Sequence, residues 1–273
     1  MDINAKTKVY GLIGKPVRHS LSPIMHNALF EKYNINAVYL AFEVELGRLR
    51  DAIMGAKALG IMGLNVTMPH KVEVTKFLDE LSDEAREIGS VNTIANEDGR
   101  LVGYNTDGIG ARKALERVTE VEGSKVLILG AGGAGRAIAY ELSKVAEVVV
   151  LNRTLEKAKE LEKFGVKGDS LEELPYYIEW ADILINATSV GMGEERSIVP
   201  KNLLRPSLVV MDIVYKPLLT RLLRDARSMG CVTVDGLWML VYQGAESFKI
   251  WTGVEVDVEF MRRVALEGLR GGR

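Results

Sequence analysis

Two short polar–apolar–polar triplets in the N-terminal half place hydroxyl and amide groups at regular spacing. The segment HSLSP contains Ser20 and Ser22, and the segment GLNVT contains Asn65 and Thr67. If a triplet is extended, its two polar side chains point to the same side, because side chains alternate along a strand. Ser22 also precedes Pro23 and an apolar helical pattern, which is typical of a helix N-cap. The serine pair therefore predicts either a cap alone or a site for an anion beside a helix N-terminus.

A lysine and an aspartate in the same half add charged groups near predicted strand ends or turns. Lys71 follows NVTMPH and Asp107 follows GYNT, and Asn92, in GSVNTI, lies between them in the sequence. The alternative for Lys71 is a surface lysine at the start of a helix, where it would oppose the helix dipole. Together these residues predict a site for a small, hydroxyl-rich, anionic ligand.

A glycine-rich turn begins the second half of the chain. LGAGGAG places Gly130, Gly132 and Gly135 at G-x-G-x-x-G spacing, after the apolar strand pattern KVLILG and before a helical pattern. In a dinucleotide-binding unit the first glycine permits the turn, the second admits the pyrophosphate, and the third lets helix and strand touch. The helix N-terminus then faces the phosphates. The motif predicts a dinucleotide site, with a tight turn that binds no ligand as the alternative.

The end of the following strand indicates which dinucleotide is bound. An NAD site usually has an acidic residue about 20 residues after the motif, which accepts a hydrogen bond from the ribose 2′-hydroxyl. VVVLNRTLEK has Asn152 at that place, followed by Arg153, Thr154 and Lys157. A guanidinium can bind a 2′-phosphate through two hydrogen bonds, whereas an acid would repel it. The segment predicts NADP(H), unless Arg153 is only a solvated surface cation.

Composition and charge exclude several classes of protein. The 273 residues are 47% hydrophobic and 26% charged, with a net charge of −2. That balance gives no basic surface for nucleic acid or an anionic membrane, and no apolar run is long enough to cross a bilayer. The single cysteine, Cys231, excludes an internal disulfide, and three scattered histidines do not predict a metal site. MDINAKTKVYGLIG lacks the apolar core of a signal peptide, so we expect a cytoplasmic protein.

The order of apolar segments predicts two α/β units. In the N-terminal half, strand patterns, a helical pattern and a hairpin around NEDG follow one another, which suggests a mostly parallel sheet. From Lys125 onward, strand and helix patterns alternate regularly, as in a Rossmann-type unit. Two more helical patterns follow Gly236, and we expect them to pack on the N-terminal half. We therefore predict a substrate-binding, catalytic domain of residues 1–106 plus 237–273 and a Rossmann dinucleotide-binding domain of residues 107–236.

These motifs resemble those of the shikimate dehydrogenase family, and the resemblance covers nearly the full length of the chain. The matching segments are SLSP, NVTMPHK, GSVNTI, GYNTDG, GAGGAG, NRT, NATSVGM, DIVYKPLLT and DGLWMLVYQGAESFKIWTG. The resemblance implies reversible, NADPH-dependent reduction of 3-dehydroshikimate to shikimate, a step in chorismate and aromatic amino acid biosynthesis. It also implies two α/β domains with the active site in the cleft between them.

Individual residues acquire roles from this resemblance. Lys71 and Asp107 match the acid–base pair, and Tyr215 matches a tyrosine close to the substrate. The other substrate contacts are matched by Ser20 and Ser22 at the carboxylate, and by Asn65, Thr67, Asn92 and Gln243 at the ring hydroxyls or the reacting centre. The cofactor contacts are matched by Gly130, Ala131, Gly132, Gly133, Ala134 and Gly135 in the turn, by Asn152, Arg153, Thr154 and Lys157 at the strand end, and by Thr188, Ser189, Met192 and Met239 on the nicotinamide side.

Other functions stay open at this stage. A quinate or quinate/shikimate dehydrogenase of the same fold is the nearest alternative, although Ser22 and Arg153 favour shikimate and NADP, and an aminoshikimate enzyme is another. A catalytically silent NADP-binding regulator belongs to a different class, which the presence of Lys71 and Asp107 disfavours. A nucleic-acid-binding Rossmann protein would need a basic face that the sequence lacks. We expect a monomer or homodimer that binds small molecules and neither nucleic acid nor membranes.

Overall fold

The computed structural model describes residues 3–271, which form two compact units. The first unit contains the described residues up to 106 and from 244 onward, and the second contains residues 107–243. The second boundary lies within the helix Gly236–Thr252, between residues 243 and 244. No loop or linker therefore marks the change of unit there.

Strands and helices alternate along most of the described chain. The strands are β1 (Lys8–Gly14), β2 (Ala37–Glu43), β3 (Gly63–Val66), β4 (Glu80–Leu81), β5 (Thr93–Glu97), β6 (Arg100–Tyr104), β7 (Lys125–Leu129), β8 (Glu147–Asn152), β9 (Lys167–Ser170), β10 (Ile183–Asn186), β11 (Val209–Asp212) and β12 (Val232–Val234). The helices are α1 (Ser22–Lys32), α2 (Leu49–Ala58), α3 (Asp83–Ile88), α4 (Asp107–Glu116), α5 (Gly133–Leu142), α6 (Leu155–Lys159), α7 (Leu174–Trp180), α8 (Arg221–Ser228), α9 (Gly236–Thr252) and α10 (Val258–Gly271).

The first unit contains a six-stranded sheet in the order β2-β1-β3-β5-β6-β4. β1 is parallel to β2 and β3, and β4 is parallel to β6, whereas β5 is antiparallel to both of its neighbours. The predicted hairpin is formed by β5 and β6, and Asp98 and Gly99 in its turn have φ of 53° and 87°. Positive φ at both residues is what the preferred two-residue hairpin turn requires. Because β1 and β3 are parallel neighbours, the segments KPVRHSLS and TMPHK that follow them lie at the same edge of the sheet.

The second unit contains a six-stranded, all-parallel sheet in the order β9-β8-β7-β10-β11-β12. Counted from β7, this is the 3-2-1-4-5-6 arrangement of dinucleotide-binding folds, which bind ligands where the strand order reverses. The strands are apolar on both faces because both faces are covered: Ile128 belongs to one buried cluster and Leu127 to another. The predicted fold class is confirmed, since both units are α/β and the second is of the Rossmann type.

Within residues 3–271, no helix combines the length and the apolar composition needed to cross a membrane. Among the same residues, no three His, Cys, Asp or Glu side chains are grouped so that they could hold a metal ion. Cys231 is buried, and burial raises the pKa of its thiol, as expected for a structural rather than a nucleophilic cysteine.

Candidate active site

The hydroxyl groups of Ser20 and Ser22 lie side by side, but the backbone between them is not extended. Ser20 Oγ donates to Ser22 Oγ at 3.2 Å, and the backbone N–H of Ser22 donates to Ser20 Oγ at 3.2 Å. Leu21 has helical φ and ψ of −85° and −11°, so a turn brings the hydroxyls together. The prediction of an N-cap at Ser22 is also wrong, because Leu21 occupies that position and α1 has no side-chain cap. Neither hydroxyl therefore serves as a side-chain cap of α1.

Asn65, near the end of β3, is the centre of a buried polar network. Its side-chain Oδ1 accepts a hydrogen bond from Tyr39 Oη at 2.7 Å. Its Nδ2 donates to Asn92 O at 3.2 Å, to Thr93 Oγ1 at 3.2 Å and to Ser247 Oγ at 3.0 Å. The Asn65 side chain is 5% exposed, so its orientation is set by these contacts rather than by water.

Asn92 extends the network to the segment that precedes α4. Its Nδ2 donates to Thr106 Oγ1 at 2.9 Å, and its Oδ1 accepts from the Thr106 backbone N–H at 2.8 Å. Asn105 donates to the backbone oxygen of Ser90 at 2.9 Å. Asp107 follows directly as the first residue of α4 and is 3% exposed, at a helix end that favours negative charge. The segment GYNTD is therefore fixed up to the residue that carries the carboxylate.

Thr67 and Lys71 lie in the turn after β3. Thr67 is half-buried, and its backbone N–H donates to Ile13 O at 2.9 Å. Lys71 is half-buried as well, and its backbone oxygen accepts from Val91 N–H at 2.8 Å. It lies in a turn two residues before the 3₁₀ helix Glu73–Phe77.

His70 anchors the same turn. The residue is buried, and its Nε2 donates to Val44 O at 2.8 Å, because a carbonyl oxygen can only accept. Its backbone N–H also donates to Thr67 O at 3.0 Å. These hydrogen bonds indicate a structural role for His70, because they hold the turn that contains Lys71 in place.

The three glycines of the turn after β7 differ in what surrounds them. Gly130 has φ of 106°, which favours glycine, and a Cβ there would lie 2.8 Å from Thr188 Cγ2. A Cβ at Gly135 would overlap the carbonyl oxygen of Gly130. At Gly132, by contrast, no heavy atom of residues 3–271 lies within 4 Å of such a Cβ. Gly130 and Gly135 therefore serve the close contact of strand and helix, and Gly132 leaves open space at the N-terminus of α5.

Asn152 connects the end of β8 to the glycine turn. Its Oδ1 accepts from the Ala131 backbone N–H at 3.2 Å, and its Nδ2 donates to Thr154 O at 2.8 Å. Arg153 and Lys157 are exposed beside it, and neither forms an ion pair within residues 3–271. Two exposed cations thus lie near the glycine turn, and no acidic residue stands at the end of β8. This charge distribution suits a dinucleotide that carries an additional phosphate group.

A second buried polar cluster holds the loop after β10. Thr188 donates to Asn186 Oδ1 through its backbone N–H at 3.1 Å and its hydroxyl at 2.7 Å. Asn186 Nδ2 donates to Asp212 Oδ1 at 2.9 Å, and Thr220 Oγ1 donates to Asp212 Oδ2 at 2.7 Å. Asp212 is fully buried, and burial raises its pKa to about 6. The cluster fixes NATSVGM on the strand ends next to the glycine turn.

The remaining residues singled out in the sequence lie in different environments of the second unit. Ser189 and Met192 are exposed, whereas Met239 is 6% exposed within a core cluster. Tyr215 is half-buried, and burial raises the pKa of its phenol. Gln243 donates from Nε2 to Leu240 O at 2.8 Å. Gly133 and Ala134 lie in the first turn of α5.

Sequence reasoning missed several polar residues of the two networks. Tyr39 lies in the apolar segment AVYLAFEV, outside the segments that match the family, whereas Ser247 lies inside DGLWMLVYQGAESFKIWTG without a motif of its own. A buried tyrosine usually needs a partner for its hydroxyl, which is the signal that could have identified Tyr39. The matching segments GSVNTI, NATSVGM and DIVYKPLLT contain Thr93, Asn186 and Thr220, but nothing in the sequence distinguishes these residues from their neighbours there.

Three family models match the chain along its length. The shikimate dehydrogenase substrate binding domain matches residues 12–94, and the shikimate / quinate 5-dehydrogenase model matches residues 112–215. The shikimate 5′-dehydrogenase C-terminal domain matches residues 236–266.

Similar proteins match almost the whole chain. The shikimate dehydrogenase (NADP⁺) of Pyrococcus furiosus is 73% identical over 268 residues, which cover 98% of each chain. A crystal structure of a shikimate dehydrogenase in complex with NADP⁺ is 50% identical over 97% of each chain, with a TM-score of 0.92. The shikimate 5-dehydrogenase of Thermus thermophilus, in complex with NADP(H) and shikimate, is 38% identical over 96% of this chain and 100% of that chain, with a TM-score of 0.90. With its serine pair, its Asn65 network and its glycine turn, the chain belongs to the shikimate dehydrogenase family.

Proposed function

We propose that the chain catalyses the reversible, NADPH-dependent reduction of 3-dehydroshikimate to shikimate, a step of aromatic amino acid biosynthesis. The observation on which the proposal rests is the number of hydroxyl and amide groups in the first unit, in the Ser20–Ser22 pair and in the network from Asn65 to Thr106. Such a set matches an anion with several hydroxyl groups, because each ligand hydroxyl needs both a donor and an acceptor. Membership of the family supports the same substrate.

The substrate carboxylate is assigned to Ser20 and Ser22. Their neighbouring hydroxyls can both donate to an anion, and they lie just before and at the start of α1, whose N-terminus favours negative charge. We assign the ring hydroxyls and the reacting centre to the amides and hydroxyls of Asn65, Thr67, Asn92, Tyr215 and Gln243. These side chains supply donors and acceptors without adding charge, which suits the neutral part of the ligand.

The residues after β7 and β8 fit NADP(H). The open space at Gly132 lets a pyrophosphate approach the backbone at the N-terminus of α5. Asn152, Arg153, Thr154 and Lys157 would hold the adenosine side with its 2′-phosphate. Thr188, Ser189, Met192 and Met239 would line the nicotinamide side. When bound, NADPH supplies the hydride that reduces the ketone.

We assign the proton transfer of the reaction to Lys71 and Asp107. Reduction of the ketone leaves negative charge on its oxygen, and the Lys71 ammonium can stabilise that oxygen and transfer a proton to it from Nζ. The Asp107 carboxylate would orient the ammonium group and the substrate hydroxyl. In the reverse direction the same nitrogen, deprotonated, takes the proton from the hydroxyl. The product alcohol therefore gains one hydride from NADPH and one proton from the protein.

The test is a comparison of four substrate pairs. The purified chain is incubated with shikimate or quinate and with NADP or NAD, and reduction of the nicotinamide is followed by absorbance. Fast reduction with shikimate and NADP alone is expected. Reduction with quinate or NAD at a similar rate would instead assign the quinate/shikimate activity, and binding of NADP without any turnover would favour the silent regulator. A cytoplasmic location and a monomeric or homodimeric state remain predictions from the sequence.

A further inference from the structure

Tyr39, a buried residue of β2, contacts one of the residues assigned to the substrate. Its Oη donates to Asn65 Oδ1 at 2.7 Å. We propose that the Tyr39 hydroxyl is a positioning group that fixes the orientation of the Asn65 amide. The groups that this amide offers to the ligand are then held in one arrangement. This inference rests on the proposed function, because that function assigns Asn65 to the substrate.

The position of Tyr39 is fixed by two residues of α1. The Tyr39 backbone N–H donates to Asn27 Oδ1 at 2.8 Å, and Asn27 Nδ2 donates to Tyr39 O at 2.9 Å. His26 lies parallel to the phenol ring, with the centroids 4.5 Å apart. The ring and the backbone are thus held without the hydroxyl, and a phenylalanine would fill the same space. The hydroxyl is therefore not needed to place the ring, and its hydrogen bond to Asn65 indicates a separate role.

The directions of the hydrogen bonds around Asn65 show what the Tyr39 hydroxyl does. The Asn92 backbone oxygen can only accept, so the amide nitrogen of Asn65 faces it and the amide oxygen faces Tyr39. Tyr39 must then donate its proton to Asn65. The hydroxyl of Tyr39 therefore selects one of the two ways in which the Asn65 amide could stand.

Removal of the Tyr39 hydroxyl leaves a buried acceptor without a donor. Asn65 Oδ1 is then unsatisfied at a site that is 5% exposed, which favours rotation of the amide or entry of water. Either change moves the donor and acceptor that Asn65 offers to the ligand. The expected loss of shikimate affinity is about tenfold, which corresponds to about 1.4 kcal/mol, within the usual cost of an unsatisfied buried polar group.

The test uses Tyr39→Phe with Tyr10→Phe as the matched control. Tyr10 is another buried tyrosine of the same sheet, 2% exposed, whose ring contacts Phe30 and Trp251. Tyr39→Phe should raise the KM for shikimate, and its Kd by calorimetry, about tenfold. The KM for NADP should stay unchanged, and Tyr10→Phe should leave both constants as they are. A Tyr39→Phe protein that matches Tyr10→Phe would overturn the inference.

A double-mutant cycle separates positioning from a general structural effect. If Tyr39 acts through Asn65, then Tyr39→Phe should cause little further loss of shikimate affinity once Asn65 has been changed to Ala. Additive losses, or an equal rise in the KM for NADP, would show a general loss of structure and overturn the inference. Lack of turnover by the unchanged chain would overturn the proposed function instead. Calorimetric shikimate affinities would then decide on Tyr39 separately.

Discussion

The imidazole of His26 lies parallel to the phenol ring of Tyr39, with the ring centroids 4.5 Å apart and the planes 16° apart. Within residues 3–271, neither ring nitrogen of His26 has a hydrogen-bond partner, and the side chain is fully buried. Burial lowers its pKa to about 3. His26 therefore supports Tyr39 as a neutral aromatic ring, at the cost of two unsatisfied polar atoms.

This burial predicts a specific weakness in acid. The pKa of His26 is lower in the folded chain than its ordinary value of 6.5, so its contribution to stability is present above pH 6.5 and is lost as the pH falls. The loss between pH 7 and pH 4 is about 3 kcal/mol. His26→Phe keeps the ring stack and should remove most of this loss, as measured by denaturant unfolding at the two pH values. Phe248→Leu, a cavity in the same aromatic cluster, should lower stability by similar amounts at both.

Replacing single glycines of the turn after β7 with alanine should separate a glycine that is needed for stability from one that is needed for cofactor binding. Gly132→Ala meets open space, so the melting temperature should not change, while the affinity for NADP should fall about tenfold or more because the methyl group blocks the pyrophosphate. Gly135→Ala overlaps the Gly130 carbonyl and should destabilise the fold by about 1–3 kcal/mol. Calorimetric titration with NADP and thermal unfolding measure both effects. Unchanged NADP affinity in Gly132→Ala would remove the turn from the cofactor site.

Arg153 should determine the preference for NADP over NAD. Arg153→Asp replaces an exposed cation with an anion that repels a 2′-phosphate, so the KM for NADP should rise about 10- to 100-fold. The KM for NAD should change little. Lys201→Asp, an exposed residue of the same unit with the same change of charge, is the control and should affect neither constant. Equal effects of Arg153→Asp on both cofactors would contradict the assignment.

Lys71 should control turnover more than binding. Lys71→Ala removes the proton donor, so kcat should fall by about two to four orders of magnitude with a smaller change in the KM for shikimate. Lys76→Ala, an exposed lysine of the neighbouring 3₁₀ helix, should retain kcat. Initial rates at saturating shikimate and NADP measure the difference. An unchanged kcat in Lys71→Ala would exclude this lysine from the chemistry.

Asp212 should make the chain less stable as the pH rises from 4 to 7. Its pKa is raised from 3.8 to about 6 by burial, so its contribution to stability is present at low pH and is lost as the carboxyl group ionises in the folded chain. The stability of the unchanged chain relative to Asp212→Asn should fall by about 2 kcal/mol over this range. Thr220→Val removes a hydrogen bond that lowers this pKa, and should steepen the dependence. Identical pH profiles for the unchanged chain and Asp212→Asn would contradict the prediction.

Elements with a strong local signal could be predicted from the sequence. β7, β8, β10 and β11 are continuous apolar runs, because both faces of a parallel sheet are buried. The hairpin of β5 and β6 follows from the Asp98–Gly99 dipeptide, whose turn chemistry is local. By contrast, β9 is the polar segment KGDS at a sheet edge, and β4 has only two residues, so neither has an apolar period. Their pairing with a neighbouring strand, not their own sequence, makes them strands.

The residues of the candidate site also differ in how well the sequence predicts them. The sequence indicates the glycine turn, the serine pair and Lys71, because each lies in a short motif whose residue types and spacing suggest a chemical role. Ser247 and Asn65, in contrast, are 182 residues apart in the sequence and meet only because a helix from the C-terminal part packs in the first unit. The turn at Leu21 shows a third case, in which the local backbone differs from the prediction although the two hydroxyls still meet.

The two hydrogen bonds between Asn27 and the backbone of Tyr39 also protect the protein from misassembly. β2 is the edge strand of its sheet, and an edge strand offers unpaired N–H and C=O groups to any other extended chain. At Tyr39 both groups are already bound by one asparagine side chain. A strand arriving from another molecule would have to displace that amide before it could continue the ladder. The residue that fixes Tyr39 for the substrate site thus also interrupts the template along which edge-to-edge aggregation would spread.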